Sequence, residues 1–439
     1  MRPPEREASS ISLKETAMAT TLERRSTNRL RGLRCRACHV LQPADERYVC
    51  GECYGPIEPE YDLAAFDTES LRAEIERGPL SLWRYAPLLP VAAPRGHFAV
   101  GWTPLVEAPR LGAAIGVARL FLKDDSRNPS LSFKDRPVVV ALARALELGL
   151  DTIASASTGN LAGAVAAAAA RNGLRAFVFV PAATDESKIA GAAAYGASVV
   201  RVNGTYDQVN RLCARLADEE RWGFVNFTLR PYYAEGSKTL LFETAEQLGW
   251  CLPDHVVVPV GSGALLTRTA TAAAQLRGTG LAEGALRIHA AQPSGCAPVS
   301  DAVLEGYRAV RPVRDPVTVA RSLAIGAPAD GDGSVEIIRA SGGSAGSVSD
   351  DEVLEGCALL ASTEGVLAEP AGGVVVATAR ALAARGAFAD DESVVLSQPA
   401  ATRRSTSMSL IFRSSRARSR IDIPSSRRGS CGTARSGAS

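Results

Sequence analysis

The sequence lacks any apolar run of the roughly 20 residues that a membrane-spanning helix requires. It also lacks an apolar central region near its N-terminus of the kind that a signal peptide has. Neither sign of charge is in clear excess, because 49 lysine and arginine residues and 47 aspartate and glutamate residues leave a net charge of only +2. We therefore expect neither a membrane nor a nucleic acid as a partner, and we expect a cytoplasmic location.

The remaining composition is typical of a soluble globular chain. It has 439 residues, of which 46% are hydrophobic and 22% are charged, and this length is enough for two or three domains. Residues 1–28 are polar and show no apolar periodicity, so we predict a disordered extension in which Met18 is an alternative start.

The segment Asn128-Pro129-Ser130-Leu131-Ser132-Phe133-Lys134-Asp135-Arg136 follows a predicted strand at residues 120–123 and places a lysine beside an aromatic ring. Burial disfavours the charged form of an amine, so a partly desolvated lysine can attack an aldehyde and form a Schiff base. A single lysine is more often a solvated surface group. The neighbouring segments must therefore decide between the two interpretations.

The second segment, Ser157-Thr158-Gly159-Asn160, lies between a predicted strand at 152–154 and a predicted alanine-rich helix at 161–171. A glycine-containing loop at a helix N-terminus offers N–H groups to an anion, such as a carboxylate. The Asn160 amide can donate a hydrogen bond to a ring hydroxyl. Taken alone, the segment is better explained as an ordinary N-cap turn.

The third segment is the turn Gly261-Ser262-Gly263, which follows the apolar strand predicted at 256–260 and precedes a helix opened by Ala264 and Leu265. Glycines let the backbone approach a phosphate closely, and the helix dipole favours its negative charge. A glycine turn after a strand is common in doubly wound folds and alone indicates only an α/β class.

The chain around these segments alternates strand and helix patterns. We predict strands at 176–181, 198–202 and 223–227 and helices at 188–195 and 206–220. Such alternation is typical of parallel sheets covered by helices on both faces. Ligands in such folds bind at the carboxyl ends of strands, so the loops at Asn160 and Gly261 are expected to share one pocket.

Four of the nine cysteines form two Cys-x-x-Cys pairs, Cys35 with Cys38 and Cys50 with Cys53. Two such turns can present four thiolates to one ion in a tetrahedron, which predicts a structural Zn²⁺ site. A ribbon that folds without metal, or a redox pair, remains an alternative.

In this order, the lysine segment, the asparagine loop and the glycine turn resemble those of the tryptophan-synthase-like, pyridoxal-phosphate-dependent enzymes. A longer match, over about residues 33–395, is similar to the threonine synthases. It includes Arg230-Pro231-Tyr232-Tyr233-Ala234-Glu235-Gly236-Ser237-Lys238-Thr239 and the segments 322–326 and 363–373. The resemblance implies a two-domain α/β fold of type II, with a zinc-ribbon-like segment at 29–62, which many threonine synthases carry. The catalytic body is expected at 63–396, with a smaller subdomain inserted at roughly 140–240.

The resemblance also implies roles for single residues. Lys134 would carry pyridoxal 5'-phosphate as a Schiff base, beside Phe133 and with Asn160 near the phenolic oxygen of the cofactor. The cofactor phosphate would lie against Gly261, Ser262, Gly263, Ala264 and Leu265. Ser157, Thr158 and Gly159 would bind the substrate, a phosphorylated amino acid. The implied activity is that of a lyase of threonine biosynthesis, which converts O-phospho-L-homoserine and water to L-threonine and phosphate, in a homodimer.

Substrate recognition departs from the pattern that many threonine synthases share, Asn-Pro-x-Arg-x-Glu-Gly, because Tyr233 stands where they have arginine. Arg230 and Lys238 can replace that charge, since a dianion requires cations or several N–H donors. A surface role for Arg230 and a helix-face role for Lys238 are equally compatible with the sequence.

The resemblance ends after Val395, and residues 397–439 form a tail rich in arginine and serine without periodicity. Threonine synthases continue their last strand into a glycine-rich segment, whose hydroxyl residue meets the pyridine nitrogen of the cofactor. We predict a disordered, frame-shifted tail in which this partner is lost unless Ser397 or Thr402 replaces it. Three alternatives therefore stay open: a related lyase or β-replacement enzyme such as a dehydratase or cysteate synthase, a catalytically impaired cofactor-binding protein, and a plain nucleotide-binding α/β protein.

Overall fold

The structure is a computed structural model that describes residues 29–94 and 99–400. The extension predicted at 1–28, most of the predicted tail, and Thr402 lie outside these ranges. Within them, no helix has the length and apolar composition to cross a membrane.

The described residues contain the following strands and helices. The strands are β1 Leu30–Cys35, β2 Leu41–Gln42, β3 Ile57–Tyr61, β4 Leu105–Glu107, β5 Arg119–Asp124, β6 Thr152–Ala156, β7 Arg175–Pro181, β8 Ser198–Val202, β9 Gly223–Phe224, β10 His255–Pro259, β11 Arg287–Pro293, β12 Ala345–Val348 and β13 Ser393–Gln398. The α-helices are α1 Thr68–Arg77, α2 Pro109–Ile115, α3 Asp135–Glu147, α4 Asn160–Asn172, α5 Glu186–Ala194, α6 Tyr206–Glu219, α7 Arg230–Gly236, α8 Thr239–Gln247, α9 Ala264–Gly278, α10 Pro298–Glu305, α11 Gly331–Ala340, α12 Asp350–Glu364 and α13 Pro370–Ala383. Short 3₁₀ helices occupy Leu63–Ala65, Leu82–Leu88, Asp125–Arg127, Ser294–Cys296 and Arg321–Leu323.

The larger sheet has six strands in the order β12-β11-β10-β13-β5-β4, and only β4, at the edge, runs antiparallel to its neighbour. Every residue of β10 and of β13 is buried, because helices cover both faces of these central strands. This burial explains why β10 reads as a continuous apolar run in the sequence.

The smaller sheet has four parallel strands in the order β8-β7-β6-β9, which lie within the span where an inserted subdomain was predicted. Strand β9 is shorter than the strand predicted at 223–227. It ends at Phe224 because the Thr228 hydroxyl accepts a hydrogen bond from the Phe224 N–H at 2.9 Å, while the Phe224 carbonyl accepts the Leu229 N–H. The chain therefore turns where its apolar residues suggested a longer strand.

A third, antiparallel sheet in the order β2-β1-β3 forms the N-terminal segment. It packs on the catalytic body through Tyr61, whose hydroxyl donates a hydrogen bond to Glu235 of α7 at 2.7 Å. Arg268 of α9 also pairs with Glu58 of β3 at 2.5 Å. The N-terminal sheet is thus fixed to α7 and α9 by charged and polar contacts.

Candidate active site

The segments that the sequence singled out all follow carboxyl ends of parallel strands. Lys134 lies in the connection after β5, the loop 157–160 follows β6, and the glycine turn 261–263 follows β10. Residues 399 and 400 follow β13, the strand between β5 and β10. The strands β5, β10 and β13 belong to the larger sheet, so the lysine segment, the glycine turn and residues 399–400 all emerge at one edge of it. The loop 157–160 follows a strand of the smaller sheet, and it is joined to this edge through Glu369, which contacts both Asn160 and Ala400.

Lys134 immediately precedes α3 and is half-buried, with its Nζ atom 5.5 Å from the centre of the Phe133 ring. The two residues before Lys134 contact the residues that follow β13. The Phe133 N–H donates to the Pro399 carbonyl at 2.7 Å, and Ser132 forms an antiparallel bridge with Ala400. Backbone contacts of the two residues before Lys134 therefore hold the lysine segment against residues 399–400.

A buried ionic cluster also holds this segment, and no local pattern in the sequence indicates it. The Arg136 guanidinium, fully buried, forms ion pairs with Asp125 at 2.7 Å and with Glu243 at 2.6 Å. Lys123, also fully buried, pairs with Glu243 at 3.0 Å. Burial would raise the pKa of Glu243, but Arg136 and Lys123 lower it to about 2, so this carboxylate is ionised at neutral pH.

Helix α7 lies directly against the helix that follows Lys134. A side chain on Gly236 would place its Cβ atom 2.4 Å from the Arg136 carbonyl oxygen, so glycine is required for this approach. Through this contact, α7 and its first residue, Arg230, keep a fixed position relative to Lys134.

The loop 157–160 meets the lysine segment through a residue that was not predicted as part of the site. Asn160 donates from its side-chain amide to the Glu369 carboxylate at 3.1 Å, and the Glu369 N–H donates to the Ala400 carbonyl at 3.1 Å. Ser157 accepts from the Gly159 N–H at 3.4 Å, and Thr158 is half-buried. Glu369 lies in the segment 363–373 that resembles the threonine synthases, and this resemblance was the one sign in the sequence that Glu369 belongs to the site.

The glycine turn has the geometry of an anion cradle. Gly263 has a φ of +91°, and a Cβ atom there would lie 2.7 Å from the Ser334 hydroxyl and 2.8 Å from the Asp330 carbonyl oxygen. Helix α9 begins with Ala264 and Leu265, whose N–H groups have no acceptor one turn earlier in the helix. Because these N–H groups point toward the turn, the site suits a phosphate.

Ser397 lies on the last strand with a fully buried side chain, and its hydroxyl has no hydrogen-bond partner among the described residues. Side chains alternate along a strand, so Ser397 points to the same face as Val395, which belongs to the apolar cluster that contains Phe133 and Leu265. The strand extends to Gln398 and so includes the first two residues of the predicted tail. A buried hydroxyl without a partner, on the face of the lysine segment, is a ready contact for a ligand atom.

Arg230 and Lys238 have different environments. Arg230 is exposed over 42% of its side chain and pairs with Asp330 at 3.1 Å, and the Asp330 N–H donates to the Ser262 carbonyl in the glycine turn. Lys238 is fully buried and is bonded to Glu235 at 2.5 Å, to Gln275 at 2.7 Å and to the Leu88 carbonyl at 3.2 Å. Arg230 is therefore accessible from solvent, whereas the ammonium of Lys238 is enclosed and has three partners.

The four clustered cysteines lie together in the N-terminal sheet. Their Sγ atoms are all within 4.8 Å of one another, with 3.5 Å between Cys35 and Cys53 and between Cys38 and Cys50. The backbone N–H of Cys38 lowers the pKa of Cys35 to about 6. Thiolates about 2.3 Å from a common zinc ion would lie about 3.8 Å apart, so the cluster is close to the geometry of a tetrahedral site.

Comparisons with known proteins agree with this geometry. The family model of pyridoxal-phosphate-dependent enzymes matches residues 97–398. Threonine synthase of Methanosarcina acetivorans is 36% identical over 367 residues, which are 83% of this chain and 89% of that protein. Threonine synthase of Methanocaldococcus jannaschii is 32% identical over 82% of this chain and 90% of that protein. The structure of the processed form of threonine deaminase isoform 2 from Solanum lycopersicum superposes with a TM-score of 0.62 at 21% identity, over 80% of this chain and 90% of that chain.

The chain therefore belongs to the pyridoxal-phosphate-dependent enzymes and has their fold of type II. Within that class it is a member of the threonine synthase family. The sequence predictions of the fold class, of the family and of a lyase that acts on a carbon–oxygen bond are confirmed.

Proposed function

We propose that this protein converts O-phospho-L-homoserine and water to L-threonine and phosphate, and that Lys134 is its catalytic residue. The observation that carries the proposal is the convergence of Lys134, Asn160 and the glycine turn at strand carboxyl ends. Membership of the threonine synthase family supports the choice of substrate.

The described residues fit pyridoxal 5'-phosphate. The turn 261–263 with the start of α9 would hold its phosphate, Asn160 its phenolic oxygen, and Ser397 its pyridine nitrogen. Two observations support this fit: the turn requires glycine at 263, where a Cβ atom would collide with Ser334 and Asp330, and the buried Ser397 hydroxyl has no partner among the described residues. When bound, the cofactor supplies a conjugated ring that accepts negative charge from the α carbon of the substrate.

Lys134 has two roles in this proposal. Its amine would hold the cofactor and, once the substrate amine has taken its place, would move protons at the α, β and γ carbons of the substrate, since the γ carbon gains a proton after phosphate leaves and becomes the methyl group of threonine. Loss of phosphate from the γ carbon and addition of water at the β carbon complete the reaction. The backbone contacts of Phe133 and the buried pairs of Arg136 keep the lysine in place during these steps.

A product assay tests the proposed activity. The protein loaded with cofactor is incubated with O-phospho-L-homoserine, L-threonine or O-phospho-L-serine, and the products are identified by mass. We expect L-threonine and phosphate in equal amounts from the first compound. Because Tyr233 stands where many relatives have arginine, ammonia release from L-threonine without turnover of O-phospho-L-homoserine would instead identify a related lyase.

We further propose a structural Zn²⁺ ion held by Cys35, Cys38, Cys50 and Cys53. The distances between their sulfur atoms support this proposal, and the short strands of the N-terminal sheet give the metal a clear stabilising role. A chelator should release one zinc ion per chain. Full-length protein that is prepared without chelators and contains no metal would contradict the proposal.

Two general properties are part of the proposal. We infer a homodimer, on the resemblance to threonine synthases, and sedimentation of the purified protein measures it. We also infer a cytoplasmic location, which is supported by the free thiols of the eight cysteines in the described ranges.

A further inference from the structure

An arginine of the N-terminal sheet reaches the catalytic body beside the glycine turn. Arg36 lies between Cys35 and Cys38, and its backbone N–H donates to the Pro56 carbonyl at 2.9 Å. Its guanidinium leaves the sheet and lies 3.0 Å from Asp330, which precedes α11. The N-terminal sheet therefore contributes a cation next to the candidate active site.

Asp330 connects this cation to the glycine turn. Its N–H donates to the Ser262 carbonyl at 2.9 Å, and its own carbonyl accepts hydrogen bonds from the N–H and the hydroxyl of Ser334. Its carboxylate, only 7% exposed, also pairs with Arg230 at 3.1 Å. One carboxylate thus fixes two guanidinium groups at the edge of the turn.

The positive charges of Arg36 and Arg230 are not fully balanced by the carboxylates around them. Arg36 and Arg230 share Asp330, and the other carboxylate near Arg36 is Glu58, at 3.5 Å, which lies closer to Arg268 at 2.5 Å. Both arginines remain accessible, with 37% and 42% of their side chains exposed. An exposed pair of guanidinium groups with one shared carboxylate leaves positive charge for an anion.

The position of Arg230 also matches a change in the sequence. Arg230 is the first residue of α7, and residues three apart in a helix lie on the same side, so Arg230 and Tyr233 are neighbours on one helix face. Tyr233 stands where many threonine synthases have arginine. Compared with those threonine synthases, this chain therefore carries its arginine one helical turn earlier, at Arg230, where it pairs with Asp330.

We propose that Arg36 and Arg230, held by Asp330, form the recognition site for the phosphate group of the substrate. This inference rests on the proposed function, and it assigns substrate recognition to a residue of the N-terminal sheet. Asp330 is a positioning residue in this scheme, because it orients both guanidinium groups and contacts the turn.

The test uses the full-length protein loaded with cofactor and inorganic phosphate as the probe, in titration calorimetry. Arg36→Gln and Arg230→Gln should each weaken phosphate binding about 10-fold or more, because each loses a charge-assisted contact. Arg31→Gln is the matched control on the same sheet, since Arg31 lies 4.0 Å from Glu60 and is not paired with Asp330. Phosphate binding by Arg36→Gln equal to that of the unmodified protein, with unchanged circular dichroism, would overturn the proposal.

A second measurement distinguishes binding of the substrate phosphate from binding of the cofactor phosphate. In Arg36→Gln we expect a higher KM for O-phospho-L-homoserine with little change in kcat, and an unchanged dissociation constant for the cofactor. Weaker cofactor binding with an unchanged KM would assign the pair to the cofactor phosphate and overturn the proposal. If the unmodified protein does not turn over O-phospho-L-homoserine, the proposed function fails, whereas phosphate binding still reports on the arginine pair.

Discussion

Replacement of Glu243 by glutamine tests the buried ionic cluster that holds the Lys134 segment. Glu243 is fully buried and pairs with Arg136 at 2.6 Å and with Lys123 at 3.0 Å, and its carboxylate also accepts from the backbone N–H groups of Trp102 at 2.7 Å and Thr103 at 3.2 Å. Gln keeps the shape of the side chain but removes its charge. Two buried cations then share Asp125 as the remaining carboxylate of the cluster.

The expected cost follows from the pKa of Glu243, which Arg136 and Lys123 lower from 4.5 to about 2 in spite of burial. One pKa unit corresponds to about 1.4 kcal/mol, so the ionised form is favoured in the folded protein by about 3 kcal/mol. Removal of one partner from a buried ion pair costs about 3–5 kcal/mol, which agrees with this value. We therefore expect Glu243→Gln to lower the free energy of unfolding at pH 7 by about 3 kcal/mol.

Urea unfolding followed by tryptophan fluorescence measures this change, because urea is uncharged and does not screen the pairs. The control is Glu186→Gln, since Glu186 is 86% exposed and its pair with Arg201 should contribute about 0.5 kcal/mol or less. The pKa of Glu243 is lowered on folding, so its contribution is present above pH 4.5 and is lost as the pH falls toward 2. A loss below about 1 kcal/mol at pH 7 would refute the view that this cluster anchors the segment.

Three other perturbations give separate tests. Ser397→Ala should weaken cofactor binding about fivefold, because one hydrogen bond is lost. The stability of the cofactor-free protein should not fall, because the hydroxyl has no partner there among the described residues. Equal cofactor affinity of the variant and the unmodified protein in spectroscopic titrations would exclude the contact. Gly263→Val should weaken cofactor binding more strongly, since Gly263 has a φ of +91° and a Cβ atom would clash with Ser334, and an unchanged dissociation constant would exclude the cradle. Burial, His255 and Arg287 lower the pKa of His289 to about 3, so its contribution to stability is complete above about pH 6.5 and is lost as the pH falls toward 3. Between pH 7 and pH 5 this loss is about 2 kcal/mol in chemical denaturation, and His289→Gln should reduce it; an identical pH dependence in that variant would contradict the assignment.

The parts of the site that the sequence predicts have local signals. The glycine turn, the loop 157–160 and the lysine segment each consist of a strand end, a polar or glycine-containing connection and the start of a helix, all within a short stretch. The α/β class follows from the same alternation, because parallel strands require helical crossovers. Strand boundaries are less predictable where a side chain competes for the backbone, as Thr228 does at the end of β9.

The contacts that decide the environment of each charged residue join positions far apart in the chain, so the sequence near each residue does not predict them. Arg136 and Glu243 are 107 positions apart, and nothing in either neighbourhood indicates that they are paired in the core. Lys238 reads as a helix-face lysine, yet it is enclosed by Glu235, Gln275 and the Leu88 carbonyl. Asp330 has no motif of its own, although it joins Arg36 of the N-terminal sheet to Arg230 and to the glycine turn.

The most direct test of the account is to identify the residue that carries the cofactor. The full-length protein is loaded with pyridoxal 5'-phosphate, reduced with borohydride, digested and mapped by mass spectrometry, with Lys134→Ala treated in parallel. We expect the reduced cofactor on the peptide that contains Lys134, loss of the visible absorption band upon reduction, and neither the band nor turnover in the variant. Modification of a different lysine, or normal turnover by Lys134→Ala, would contradict the assignment of Lys134 as the catalytic residue.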